Sequence, residues 1–244
     1  MKFFLSILCF SLVVFASNVQ DDIANSFDNE YTQQTKEDFD PLSKYNNFMT
    51  NVNDKFYTHI LFPVAKGYKK IIPKPARESV SNFFHNLFFP VRFVNNILQL
   101  KFKNSFEELE RFAINSTVGV AGLFDVAAKR MKIYPHEEDL GQTLGFYGLG
   151  GGFHIVLPIL GPSNLRDTVG LVGDWYLDPK IYIQNRGYNL TDNDTESFGV
   201  SSFNVINRAS FDYKKYEAIK KGNVLLYPVL KDLYEKHRDK LIKE

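Results

Sequence analysis

Five histidines, at 59, 85, 136, 154 and 237, and the carboxylates Glu107, Glu108 and Glu110 raise acid–base and metal chemistry first. None has the spacing such chemistry needs. His136-Glu137-Glu138 lacks the second histidine, one helical turn on, that a zincin helix uses to hold its metal. His136 and Glu137 read instead as residues flanking a helix start, and the three glutamates as the water-facing side of a helix. Ser163 lies outside any G-x-S-x-G elbow. The glycines from Gly148 to Gly152 suggest a phosphate cradle. A dinucleotide fingerprint beginning at Gly148 needs glycine at 153, where Phe153 stands, and no P-loop lysine follows. With no nucleophile, base and orienting group in one pattern, the residues point away from catalysis, and no metal or cofactor is expected.

Non-covalent chemistry is better represented. Arg77 and Arg166 can each grip a phosphate with two parallel hydrogen bonds, or pair with a neighbouring carboxylate such as Asp167. Residues 41–103 carry ten lysines and arginines against Asp54 and Glu78, interleaved with twelve phenylalanines and tyrosines. That mixture suits an anionic lipid surface. It also suits single-stranded nucleic acid, which an exported chain rarely meets, and it equally describes a solvated basic face over an aromatic core.

The elements that must position these residues begin after two distinct end segments. Phe3 to Ala16 is apolar apart from Ser6 and Ser11, too short to span a bilayer and of signal-peptide length. Val14-Phe15-Ala16 predicts cleavage after Ala16, which removes Cys9, the only cysteine; the alternative is an uncleaved N-terminal anchor. Residues 17–39 are acidic and poor in apolar residues, so they read as a disordered linker. Residues 40–244 then form a single domain.

Within that domain the apolar residues recur at helical spacing in short, interrupted runs. Asp40-Pro41 predicts a capped helix start, with Leu42, Tyr45, Phe48, Met49, Val52 and Phe56 as one stripe. Pro63, Pro75 and Pro90 are expected to open further helices, and Ser105 with Glu108 to form a capping box for a fifth. Phe83, Phe84, Phe88 and Phe89 form the wide apolar arc expected to face lipid. Short helices are expected around Phe124–Met131 and Glu137–Phe146. Residues 146–160 predict a mobile loop or small hairpin, and Ser163 a helix cap. Two helices follow, one stopping near Gly222 and one opened by Pro228. The reading is all-α, with no segment long and apolar enough to cross a bilayer alone.

Several strings, taken in order, resemble one family. They include Asp40-Pro41-Leu42, Pro63-Val64-Ala65-Lys66-Gly67-Tyr68 and Val80-Ser81-Asn82-Phe83-Phe84. Val94-Asn95-Asn96-Ile97-Leu98-Gln99, Arg111-Phe112-Ala113-Ile114-Asn115-Ser116 and Gly122-Leu123-Phe124-Asp125-Val126-Ala127 follow. Asp139 to Gly145, Leu157-Pro158, Gly161-Pro162-Ser163 and Leu165-Arg166-Asp167 complete the set. Together they resemble the MlaA/VacJ family of outer-membrane phospholipid-handling lipoproteins, most strongly over residues 40–175.

The resemblance implies a ring-like disc of amphipathic helices in the periplasmic leaflet of the outer membrane. A central amphipathic channel would let mislocalised phospholipid leave the outer leaflet. The lipid would pass to a soluble periplasmic lipid carrier, and the protein would associate with an outer-membrane trimeric porin. The glycine-rich segment corresponds to the family's flexible loop beside the channel. Phe146, Tyr147, Gly148, Gly150, Gly151 and Gly152 are therefore the expected gate, with Arg166 and Arg77 as head-group contacts. The family usually carries an acylated cysteine after the signal peptide, a feature this reading does not expect here. The rival reading is a structural adaptor that docks on porin or another envelope protein.

Overall fold

Helical spacing places polar and apolar residues on opposite faces of several helices, and in some of them the structure buries the polar face. This computed structural model describes residues 40–179, 194–223 and 225–244, with side chains described from 199 in the second stretch. The expected signal peptide, Cys9, the acidic linker and residues 180–193 lie outside these.

Helix α1 (Ser43–Phe56) runs through a π-helical turn (Tyr57–Leu61) straight into α2 (Phe62–Ile71). Two expectations are corrected here. Asp40 does not cap α1; its carboxylate accepts from the Asn46 amide and the Tyr227 hydroxyl instead. Pro63 stands in the first turn of α2 as expected, but no break in the helical path precedes it. The wider π turn immediately before it moves the backbone carbonyls that a proline ring would strike, so the helical path continues.

Helices α3 (Lys74–Leu87) and α4 (Phe89–Leu98) do open at Pro75 and Pro90. Helix α5 (Phe102–Thr117) starts three residues ahead of the expected capping box, and the Ser105 hydroxyl donates to the Phe93 carbonyl. A π-helical turn (Ala127–Met131) leads to α6 (Leu140–Phe146), capped by Asp139. Strands β1 (His154–Leu157) and β2 (Gly161–Asn164) form an antiparallel hairpin that pairs His154 with Asn164 and Leu157 with Gly161. Helix α7 (Leu165–Tyr176) follows, capped by Asn164 rather than Ser163. Helices α8 (Asp194–Gly222) and α9 (Leu226–Lys243) complete the chain.

The elements close a circuit: α2 packs on α8, α8 on α3, α3 on α4 and α5, α4 on α6, α6 on α7 and α9, and α9 on α1. Among the described residues, no helix is long and apolar enough to cross a membrane.

Helix α5 shows the inverted pattern plainly. Ser105, Glu108, Arg111 and Asn115 are buried, whereas Phe106 is 67% exposed and Phe102, Leu109 and Phe112 also lie at the surface. The glutamate face expected to meet water is thus turned inward at Glu108, which is 0% exposed. Glu108 accepts from Arg92 at 2.8 Å and from the His136 backbone N–H at 2.7 Å. Helix α1 buries Asn46, Thr50 and Asn53 and exposes Tyr45, Phe48 and Val52. Among the described residues, buried polar or charged side chains outnumber buried apolar ones by 28 to 16, so the usual rule for a water-facing protein does not hold.

The arc of phenylalanines is corrected accordingly. Phe84 and Phe88 are buried together with Val91, one turn apart on the inward side. Phe83 is exposed, and Phe89 is half-buried, stacked on Phe112 at 4.5 Å between ring centres. The error lies in taking the whole arc as one face. Positions 84 and 88 are four apart and share an inward direction that 83 does not.

Two asparagines seven residues apart on α1 substitute for a missing third strand. Asn46 donates to the His154 carbonyl at 3.0 Å and accepts from the Val156 N–H at 2.8 Å. Asn53 donates to the Leu157 carbonyl at 2.9 Å and accepts from the Ile159 N–H at 2.7 Å. Each amide supplies one donor and one acceptor, the pair an edge strand leaves unmet.

Arg238 ties α9 to α6 and α7. It donates to both oxygens of Asp139, at 2.7 and 2.8 Å, and to both of Asp167, at 2.9 and 3.0 Å. Burial alone opposes the Asp167 anion; Arg238 and Arg166 outweigh it and hold the carboxyl below its ordinary range. Nearby Asp174 accepts from Asn95 and from the Leu140 N–H, both at 2.9 Å. Burial, with the charge of Asp139, pushes its carboxyl up to about 8. Helices α6 and α7 meet where a Cβ on Gly170 would stand 2.5 Å from the Gly141 backbone nitrogen.

Three outcomes are expected. Gly170→Ala should cost about 1–3 kcal/mol in a denaturation experiment, because its methyl meets backbone that cannot turn aside. Gly150→Ala, with nothing within 4 Å, should change stability by less than about 0.5 kcal/mol. The folded Asp174 carboxyl lies above its unfolded value of about 3.9, so the native chain holds a proton that the unfolded chain releases, and its contribution declines as pH rises from about 4 to about 8. Melting curves should therefore show wild type losing stability relative to Asp174→Asn between about pH 6 and pH 8. Parallel profiles would contradict this assignment.

Candidate functional site

A cavity of 620 Å³ opens inside the circuit. Helix α3 contributes Ser81, Asn82 and His85; α5 contributes Asn104, Arg111 and Asn115; Pro135 to Glu138 and Gln142 form a further wall. Arg208, Phe211, Asp212 and Lys215 of α8 face it, with Leu241 and Glu244 from the end of the chain. Its walls are polar because the inverted helices turn their hydrophilic stripes this way.

Most charges on these walls are matched. His85 pairs with Glu137 at 2.6 Å, Lys101 with Glu138 at 2.7 Å, Arg111 with Asp125 at 3.2 Å, and Lys215 with Asp212 at 3.0 Å. Gln99 and Gln142 also donate to Glu138. Burial by itself disfavours the Glu137 anion, but His85, Arg92 and Arg208 together hold its carboxyl below the ordinary range. At the cavity's edge His136 pairs with Glu107 at 2.6 Å, and that hydrogen bond lowers the Glu107 carboxyl. Glutamine and asparagine side chains, like the paired ions, offer fixed dipoles to a polar visitor without a reactive group. No set of three potential metal ligands converges among the described residues.

A second, smaller hollow of 130 Å³ adjoins the first. The end of α1, the π turn, the hairpin, α8 and α9 surround it. Tyr57, Leu61, Phe62, Val205 and Tyr213 form its buried apolar wall, with Tyr216 packed edge-on against Phe62 at 5.4 Å. Arg208, Asp212 and Lys215 line both hollows.

The expected site residues are distributed otherwise. Phe146 ends α6, and Tyr147, 63% exposed, donates from its hydroxyl to the Leu98 carbonyl at 2.5 Å. Gly148 and Gly152 hold φ of +87° and +72°, conformations that side chains resist. Arg166 meets this loop directly: Nη1 donates to the Leu149 carbonyl at 3.3 Å, and the backbone N–H donates to the Gly151 carbonyl at 3.1 Å. So Arg166 and the glycines come together, but none of them lines either hollow.

Arg166 and Arg77 are corrected as head-group contacts. Arg166 is buried against Asp167 at 2.9 Å. Arg77 is buried too, donating to Ser210 Oγ at 2.7 Å and to the Ile72 carbonyl at 3.2 Å while lying over the Phe211 ring. Buried guanidinium groups need partners from the protein, and these have them.

Arg208 is the cavity residue that sequence reasoning missed. Its signal was available: Ser201, Asn204 and Arg208 recur at spacings of three and four, a polar stripe along α8.

The MlaA lipoprotein family profile matches residues 38–241. An uncharacterised protein of Rickettsia bellii is 34% identical over 174 residues, 71% of this chain and 68% of that protein. The intermembrane phospholipid transport system lipoprotein MlaA of Escherichia coli is 37% identical over 142 residues, 56% of this chain and 56% of that protein. A solved structure, described as the structural basis for maintenance of bacterial outer membrane lipid asymmetry, superimposes with a TM-score of 0.68 at 28% identity. It covers 83% of this chain, and the match spans 98% of the solved one. A match across nearly all the described residues, with the same helical fold, makes this chain a member of the MlaA lipoprotein family.

Proposed function

We propose that this protein moves mislocalised phospholipid out of the outer leaflet of the outer membrane, without catalysis, through the polar cavity at its centre. The observation that carries the reading is the inversion of polarity: apolar helix faces outside, hydrophilic walls inside. A phospholipid crossing a bilayer must take its charged head group through about 30 Å of hydrocarbon, which is costly for a bare charge. A polar passage lowers that barrier while the acyl chains remain among apolar groups. Phe48, Phe83, Phe102 and Phe106 present apolar surface to lipid on the outside. Helices too amphipathic to span fit a position within one leaflet.

Further parts of the reading come from the family resemblance. Residues 1–16 direct export, the acceptor is a soluble periplasmic carrier, and a trimeric porin stands beside the ring. Direction comes from the acceptor, since a passive passage needs no nucleotide. The loop from Phe146 to Gly152, which lines neither hollow, is on that resemblance the gate beside the passage, with Arg166 holding it at Leu149 and Gly151.

Replacing Gly150 and Gly152 with proline stiffens that loop, and at Gly152 imposes a φ near −65° where the chain holds +72°. In cells relying on this protein, outer-leaflet phospholipid should then accumulate at unchanged protein abundance. Outer-leaflet phospholipid at the wild-type level would refute the gate.

A further inference from the structure

We infer that the two hollows form one divided site for a glycerophospholipid, with a stretch of one acyl chain in the apolar pocket and the phosphodiester on Arg208 where the hollows meet. This rests on the transport reading above and specifies where the cargo is held.

Three observations support it. First, the hollows share Arg208, Asp212 and Lys215, so a molecule with a polar and an apolar part can occupy both at once. Second, the cations around the cavity are otherwise satisfied. Lys101, Arg111 and Lys215 each lie within ion-pair distance of a carboxylate. Among the described residues none lies within that distance of Arg208, which feels Glu137 and Asp212 only across a gap. Burial, together with the charge of Arg92, draws its guanidinium down to about 10, so it is still a cation at neutral pH. A half-buried guanidinium with donors to spare is suited to a phosphate's two oxygens. Third, the apolar pocket is close in size to cavities that stay dry and accept a small hydrocarbon. Its tyrosine and phenylalanine walls suit methylene groups, and its open side lets the rest of a chain extend.

The test uses the purified full chain in dodecyl maltoside micelles with phosphatidylglycerol carrying a diazirine midway along one acyl chain. After illumination, cross-linked residues are mapped by mass spectrometry. Labelling is expected at Tyr57, Leu61 and Tyr213. Arg208→Gln should reduce labelling there by about tenfold, the loss of one charge-assisted contact, while Arg208→Lys retains most of it. Excess unlabelled phosphatidylglycerol should displace the probe and inorganic phosphate should not. Labels confined to other cavity walls and the outer faces, with Arg208→Gln equal to wild type, would overturn the divided site and leave the passage standing. Displacement by inorganic phosphate alone would overturn the acyl part. Absence of any label on wild type would overturn the site and the transport reading together. The wild-type map requires no variant to fold, and melting curves check the two that are used.

Discussion

Polar groups inside this molecule have no solvent to fall back on unless they face the cavity, so they must satisfy one another. That constraint organises the rest. Glu108 meets Arg92 and a backbone N–H, Arg238 grips Asp139 and Asp167, and Asn46 and Asn53 close the open edge of the hairpin. Removing one partner from a buried pair leaves a bare charge, a penalty of about 3–5 kcal/mol. The interior is therefore specified by complementarity of donors and acceptors more than by apolar packing. The apolar clusters, around Phe84 and around Tyr57, are small by comparison.

The same inversion prepares both surfaces that lipid handling requires. Turning Ser105, Glu108, Arg111 and Asn115 inward turns Phe102, Phe106, Leu109 and Phe112 outward without any further device. Helix α1 does likewise with Phe48 and Val52. An aqueous environment would penalise so much exposed apolar surface, and hydrocarbon does not. The ring and its polar interior are thus one consequence of each helix having two chemically distinct faces.

Much of the fold was legible from spacing. The periodic apolar runs, the prolines at 75 and 90, and the glycine-to-strand change before His154 mark real boundaries. Which face of each helix turns inward was not legible, because periodicity reports two faces and not the solvent each meets. That is why Glu108 was placed in water and Phe84 and Phe88 in lipid. Pro63 does stand in the first turn of α2, but the π turn ahead of it, which no residue type announces, carries the helical path on from α1 without a break. At the site, the capacity of a guanidinium to grip phosphate drew notice to Arg77 and Arg166, which hold the scaffold. Arg208 stood in no quoted string, and its place between two hollows depends on contacts across the fold.

The central claim is that the apolar faces meet hydrocarbon and the polar faces meet water held within the ring. Nitroxide labels placed singly at Phe48, Phe106 and Val169 of α7, all exposed apolar positions, and at Asn82 and Lys215 on the cavity wall, in protein reconstituted into bilayers, test it by their collision rates with oxygen and with a water-soluble nickel chelate. The account predicts oxygen-rich, nickel-poor environments at the first three positions and the reverse at the last two. Nickel access at Phe48, Phe106 and Val169 equal to that at Lys215 would contradict it.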